Sequence, residues 1–195
     1  ANAAVAASNA PGGMGPPGSG PGPPTPPPAA AASSPPRSSS TLGIAMSIAH
    51  WKYYVQALSP EYRCLCHDFR GQIMSDMGGG PYSFAQHADD LAALMRSLGI
   101  EKAHLVGTSY GSEVAMVFAL AHPGMVSSLT LIDGVSESDQ LLKHAINGWR
   151  AAAMASPVAF YRNLIPWTYS SEYIARNRAA LDSREAGIAA FPKEY

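Results

Sequence analysis

Residues 104–123 read HLVGTSYGSEVAMVFALAHP and place Ser109 between Gly107 and Gly111. The apolar residues before Gly107 are typical of a buried strand, and the apolar run after Ser109 is typical of a helix that stops before Pro123. A serine at such a strand-to-helix junction must lie on a very tight turn with strained backbone angles. The flanking positions must be small, because larger side chains would collide across the turn. The stretch therefore predicts a turn that projects the Ser109 hydroxyl from a sheet edge.

This turn also predicts a place where negative charge is stabilised. The backbone N–H of Tyr110 would point at an oxyanion formed beside Ser109, and the N-terminus of the following helix adds a favourable dipole. We therefore expect Ser109 to be a nucleophile, the Tyr110 N–H to be an oxyanion donor, and Gly107 and Gly111 to be structural residues of the turn. The alternative is a glycine-flanked turn that carries an incidental serine.

Short strand and helix patterns alternate on both sides of this turn. Three apolar segments are predicted as buried strands, namely residues 62–69, 103–107 and 127–133. A helix is predicted to begin at a capping box made by Ser83 and Gln86 and to end at Gly99. This order of strands and helices predicts an α/β fold, with a parallel sheet, right-handed crossovers and flanking helices.

The composition predicts three regions. Residues 1–41 are mostly Pro, Gly, Ala and Ser with a single charge, Arg37, and should be a disordered tail. The stretch SSPPRSSST (33–41) contains proline, from which we expect that it cannot form a central strand. Residues 42–135 are predicted to be the α/β core portion. Residues 136–195 are rich in Ala and helical in pattern, and are predicted to be an incomplete helical cap portion.

Charge and composition argue against several classes of function. The net charge is -1 with 14% charged residues, which gives no electrostatic case for binding nucleic acid. No apolar run approaches the roughly 20 residues that cross a bilayer, and the N-terminus lacks the features of a signal peptide. Cys64 and Cys66 read as small buried residues, and a reducing, cytoplasmic location fits them. No motif asks for a metal or cofactor; the glycines at 78–80 lead into a helix start rather than a dinucleotide-binding phosphate cradle.

Residues 42–133 resemble the α/β-hydrolase fold family, in particular its esterases, enol-lactonases and C–C bond hydrolases. The stretch DFRGQIMSD (68–76) matches the family's Asp-x-Arg-Gly-His-Gly-x-Ser-Asp loop, with Gln72 and Ile73 in place of His and Gly. The resemblance implies a serine hydrolase that acts on a small carboxylic ester, lactone or related carbonyl compound through Ser109. It disfavours epoxide and haloalkane hydrolysis, because those branches carry Asp at the nucleophile position.

The resemblance also implies a base and an acid that this sequence does not display. In the family, an acid follows a late strand and a histidine follows the acid, but no strand-like run with Gly-His comes after Asp133. We therefore expect a truncated hydrolase with impaired turnover. Asp133 is the candidate acid, His144 is the candidate base, and the Ile44 N–H is the candidate second oxyanion donor.

Two expectations follow if the sheet is incomplete. The first is a competing function of another class, a non-catalytic or nonfunctional hydrolase-like chain with a binding or interaction role. The second is poor solubility and self-association, because exposed apolar sheet edges invite pairing between chains.

Overall fold

A computed structural model of the 195-residue chain describes residues 5–8, 37–41, 46–72, 75–80 and 82–190. For residues 5–8 and 37–41 it describes the strand pairing alone. Contacts between residues group the chain into two units, Ala1–Val135 and Ser136–Tyr195. The first unit contains the sheet and the second is helical, and each is described by itself.

The described sheet has five strands in the order β1-β3-β2-β4-β5. The strands are β1 (Val5–Ser8), β2 (Arg37–Thr41), β3 (Arg63–His67), β4 (Ala103–Thr108) and β5 (Val126–Ile132). β1 is antiparallel to β3, and the other three pairings are parallel. The helices of this unit are α1 (Lys52–Leu58), α2 (Phe84–Ser97) and α3 (Tyr110–Ala121). The prediction of an α/β fold with parallel strands and flanking helices is confirmed.

The centre of the sheet corrects one expectation. β2 lies between β3 and β4, so Ser39 pairs with Leu65 on one side and with Leu105 on the other. The expectation that residues 33–41 cannot supply a central strand is therefore wrong. A proline removes only its own N–H from a ladder, and both prolines of this stretch precede Arg37, where the strand begins. The prediction of disorder for residues 1–41 is also wrong at 5–8 and 37–41, which form strands β1 and β2. The other residues of this segment lie outside the described residues.

Helix α2 begins as predicted but with one partner exchanged. The Ser83 side chain accepts a hydrogen bond from the Gln86 N–H at 3.1 Å. The Gln86 side chain does not return to Ser83, because its amide donates to the Asp90 carboxylate one turn further on, at 3.2 Å. The predicted capping box is thus half formed, and Gly99 follows the helix with a φ of +63°.

The core of the first unit lies between the sheet and helices α2 and α3. Its fully buried side chains include Leu91, Met95, Leu105, Val114 and Phe118. Each such side chain contributes about 1.5–3 kcal/mol through its removal from water. Cys64 and Cys66 of β3 are buried thiols and form no disulfide, as their position on one strand predicts.

In the second unit, the described residues form helices α4 (Gln140–Ala155), α5 (Pro157–Thr168), α6 (Ser171–Arg176) and α7 (Arg178–Ala189). Asp139 caps α4 by accepting from the Leu142 N–H at 2.8 Å. The Tyr161 hydroxyl joins α5 to α7 by donating to the Leu181 carbonyl at 3.2 Å. The helical character expected of this region is confirmed, and its role as a cap stays a prediction. Among the described residues no helix has the length and hydropathy needed to cross a membrane.

Candidate active site

Ser109 lies between the last residue of β4 and the first residue of α3. Its backbone has a φ of 50° and a ψ of −125°, a region that costs a non-glycine residue on the order of 1–3 kcal/mol. The side chain of Ser109 is exposed. A strained turn that holds a hydroxyl at the carboxyl end of a parallel strand is the arrangement that a nucleophile turn requires.

Contacts across the turn explain why Gly107 precedes it. A Cβ on Gly107 would lie 2.5 Å from the Gly111 carbonyl oxygen and 2.7 Å from the Ser112 Cα. Those are backbone atoms, so they have no side-chain freedom with which to yield. Gly107 therefore allows the first turn of α3 to pass directly over the end of β4, and Gly111 is buried at the crossing.

Backbone hydrogen bonds hold the turn, and among the described residues they leave the Tyr110 N–H without an acceptor. The Ser109 N–H donates to the Ile132 carbonyl at 2.8 Å, and the Ser109 carbonyl accepts from the Ser112 N–H at 2.6 Å. The Tyr110 N–H, the first of α3, has no backbone acceptor among the described residues. An unsatisfied N–H at a helix N-terminus is a ready donor to an anion.

Asp133 and Ser109 follow the carboxyl ends of two neighbouring parallel strands. The parallel register pairs Thr108 with Ile132, so Ser109 and Asp133 are the next residues on neighbouring strands. They are also the two non-glycine residues with positive φ in the described part of the chain, at 50° and 60°. The register therefore brings together the candidate nucleophile and the candidate acid that the sequence places 24 positions apart.

No described residue activates the Ser109 hydroxyl, which has no hydrogen-bond partner within the described ranges. Three histidines of the first unit are engaged elsewhere. His104 Nδ1 lies 2.7 Å from the Ser128 hydroxyl, and His122 Nε2 lies 3.0 Å from the Asp89 carboxylate. His50 Nδ1 accepts from the Ser47 N–H at 3.0 Å.

His67 and His87 are buried, and the imidazole of His67 has neither ring nitrogen hydrogen-bonded. Burial, and secondarily the neighbouring His87, lower the pKa of His67 to about 4. Burial also lowers the pKa of His87. Both rings therefore belong to the interior as neutral groups. His144 lies in the second unit, and Ile44 lies outside the described residues.

An aromatic cluster surrounds Tyr110 and was not anticipated from the sequence. The Tyr110 ring centroid lies 5.6 Å from that of Phe69, 5.0 Å from that of Phe84 and 5.7 Å from that of His87. Burial raises the pKa of the Tyr110 phenol, so the hydroxyl stays neutral. These contacts join residues more than 20 positions apart, and no local pattern in the sequence marks them.

Hydrogen bonds of Asp68 and Arg70 help to fix the loop that resembles the family's Asp-x-Arg-Gly motif. The Asp68 carboxylate accepts from the Ile48 N–H at 3.0 Å. Arg70 donates two hydrogen bonds of 2.5 Å to Asp90, and these lower the pKa of that carboxyl. A cleft of about 340 Å³ between this loop and α2 is lined by residues such as His67, Phe69 and Leu94, and by neither Ser109 nor Tyr110. The described residues contain no His, Cys, Asp or Glu cluster that could hold a metal ion.

The fold agrees with comparison to known proteins. The model of the alpha/beta hydrolase fold family matches residues 43–171, and the chain belongs to that family. Among its relatives, the putative carbamate hydrolase RutD of Azorhizobium caulinodans is 31% identical over 152 residues, which are 77% of this chain and 57% of the relative. The fluoroacetate dehalogenase of a Burkholderia species is 32% identical over 126 residues, 59% of this chain and 41% of the relative. The chain thus spans little more than half the length of the carbamate hydrolase relatives.

Solved structures give the same assignment. MGS-M2, an alpha/beta hydrolase enzyme from a deep-sea metagenome library, superposes with a TM-score of 0.74 at 26% identity, over 79% of this chain and 56% of that one. The enol-lactonase of Burkholderia xenovorans LB400 superposes with a TM-score of 0.70 at 22% identity, over 81% of this chain and 60% of that one. The resemblance stated from the sequence is confirmed, and with it membership of a family of hydrolases.

Proposed function

We propose that this chain is the nucleophile-bearing part of a serine hydrolase that acts on a small carboxylic ester, lactone or related carbonyl compound. The observation that carries the proposal is the backbone of Ser109, with a φ of 50° and a ψ of −125° between β4 and α3. The name of the carbamate hydrolase relative supports a carbonyl substrate. The proposal needs neither a metal nor an organic cofactor, and neither nucleic acid nor a membrane as partner.

In the proposed reaction the Ser109 Oγ attacks the substrate's carbonyl carbon and loses its proton to a base. The carbonyl oxygen becomes an oxyanion that accepts a hydrogen bond from the Tyr110 N–H. The Ile44 N–H is the proposed second donor. The bond to the leaving oxygen then breaks, and that oxygen takes up the proton. Water repeats the sequence on the acyl-serine and releases the carboxylic acid. Asp133, at the neighbouring strand end, is the proposed acid that would orient a base.

We further propose that turnover by this chain is slow. The Ser109 hydroxyl has no hydrogen-bond partner within the described ranges, and a nucleophilic serine without its base loses several orders of magnitude in rate. The same observation favours the second candidate function, a hydrolase-like chain that binds carbonyl compounds without turning them over. The buried, reduced thiols of β3 are compatible with the cytoplasmic location that we propose.

Labelling of the purified chain with a fluorophosphonate probe tests the proposal, because this probe reacts with activated serines. We expect slow labelling, located at residue 109 by peptide mass spectrometry and abolished in Ser109→Ala. Asp133→Asn should slow labelling further if Asp133 acts as the acid. A folded chain that does not label would contradict the nucleophile role and leave the non-catalytic function.

A further inference from the structure

A buried hydroxyl lies directly beneath the Ser109 turn. Ser112, on the first turn of α3, is 0% exposed. Its Oγ lies 2.8 Å from the Gly107 carbonyl oxygen, at the end of β4, and 3.0 Å from the Ile132 carbonyl oxygen, at the end of β5. One O–H is thus placed between two strand-end carbonyls, where it donates to both in a bifurcated hydrogen bond.

One of the two carbonyls that Ser112 joins, that of Ile132, also holds the backbone of the turn. Ile132 also accepts the Ser109 N–H at 2.8 Å, and the Ser112 N–H closes the turn on the Ser109 carbonyl at 2.6 Å. Gly107 begins the turn. Ser112 therefore contacts the residue before the turn, the residue on it and the strand beside it, and its side chain has no contact with solvent.

Two glycines make room for this hydroxyl. A Cβ on Gly107 would lie 2.7 Å from the Ser112 Cα, and a Cβ on Gly134 would overlap the Ser112 Cβ. Gly134 belongs to the loop after β5, and the next residue, Val135, donates its N–H to the Glu113 carboxylate at 2.9 Å. The end of β4, the start of α3 and the loop that carries Asp133 therefore converge on Ser112.

We propose that Ser112 is a positioning residue for Ser109, which holds the strained turn so that the Ser109 hydroxyl and the Tyr110 N–H face the same reacting carbonyl. This inference rests on the proposed function of Ser109. Removal of the hydroxyl leaves the Gly107 and Ile132 carbonyl oxygens adjacent without their shared donor, and the strand ends separate. A misplacement of about 1 Å at a reacting group costs roughly 100-fold in rate.

Ser112→Ala in the full chain tests the inference through saturation kinetics of fluorophosphonate labelling. We expect the maximal labelling rate of the folded protein to fall at least about 10-fold, with the half-saturating probe concentration unchanged, because positioning acts on the reaction rather than on binding. The matched control is Ser83→Ala, which removes the hydroxyl that accepts from the Gln86 N–H at 3.1 Å on α2. That variant should label at the wild-type rate. A folded Ser112→Ala chain that labels at the wild-type rate would overturn the inference.

Amide hydrogen exchange separates this inference from the proposed function. If wild-type protein does not label, the proposed function fails, and the exchange rate of the Ser109 N–H decides about Ser112. Faster exchange at the Ser109 N–H in Ser112→Ala, with exchange at the Leu105 N–H unchanged, supports the positioning role of Ser112. Unchanged exchange at Ser109 refutes it. If Ser112→Ala does not fold, Gly134→Ala takes its place, since the added Cβ displaces Ser112 from the opposite side. Gly134→Ala should give the same localised loss of protection against exchange at the Ser109 N–H. A wild-type exchange rate in that variant counts against the positioning role of Ser112.

Discussion

Neighbouring strands β4 and β5 both carry leucine side chains but differ in how far these are buried. Both are apolar and parallel, and Leu105 of β4 pairs with Leu129 of β5. Leu105 is 0% exposed, whereas Leu129 is 36% exposed. β4 has a strand on each side, while β5 has β4 alone as a strand neighbour in the described sheet. Burial in a parallel sheet thus depends on neighbours on both sides and both faces more than on the residues of the strand itself.

The largest effect should come from truncating the two facing leucines separately. Leu105→Ala should lower the free energy of unfolding by about 2–5 kcal/mol, since it leaves a cavity in a closed core. Leu129→Ala should cost less than about 1 kcal/mol, because the side chain already contacts solvent. Urea denaturation followed by circular dichroism measures both. Equal losses would show that the two strands share one environment in solution.

A pH titration extends the comparison inward, to β3. The pKa of buried His67 is lowered to about 4, against about 6.5 in an unfolded chain. Between those values the unfolded state binds the extra proton, so stability falls as pH decreases through this window, by up to about 3 kcal/mol in total. Denaturation midpoints at pH 7 and pH 4 should show this loss, and His67→Gln should reduce it. His87, whose pKa burial also lowers, accounts for part of the remaining loss. If stability falls as much between pH 7 and pH 4 in His67→Gln as in the wild type, the loss does not come from His67.

The smallest effect on stability, and a distinct effect on association, should come from a charge on β5. Leu131 is 41% exposed, and β5 from Val126 to Ile132 contains no charge or proline to discourage edge pairing. We expect the wild-type chain to self-associate and Leu131→Lys to reduce that association, with stability changed by less than about 0.5 kcal/mol. Leu141→Lys, at a 65% exposed position of α4, is the matched control. Sedimentation velocity distinguishes the outcomes, and a monodisperse wild-type monomer would refute the expectation.

The same comparison explains which parts of the fold were predictable. Strands β3, β4 and β5 and helices α2 and α3 follow from local apolar patterns, and their observed bounds lie within two residues of the predicted ones. β2 does not follow, because Ser and Thr residues there become a central strand through pairing on both sides rather than through their own propensity. Gln86 was assigned the wrong partner because Asp90, four positions on, competes for its side chain.

The candidate site also has a part that the sequence predicts and a part that it does not. The GTSYG spacing predicts the turn at Ser109, and the family resemblance adds Asp133 as a candidate, which the register of β5 then places next to Ser109. The aromatic contacts of Tyr110 and the two carbonyls beneath Ser112 depend on long-range packing that no short motif encodes. The base for Ser109 and the second oxyanion donor stay predictions.

The turn at Ser109 is built almost entirely without the Ser109 side chain. Its N–H and carbonyl are held by Ile132 and Ser112, and Gly107 provides the space. The chemistry at this point of the sheet is therefore interchangeable in principle: another side chain at position 109 would be presented by the same backbone, in the same direction. The backbone turn therefore carries the conformational strain whatever side chain stands at position 109. New reactivity can arise by one substitution there, with the surrounding fold left intact.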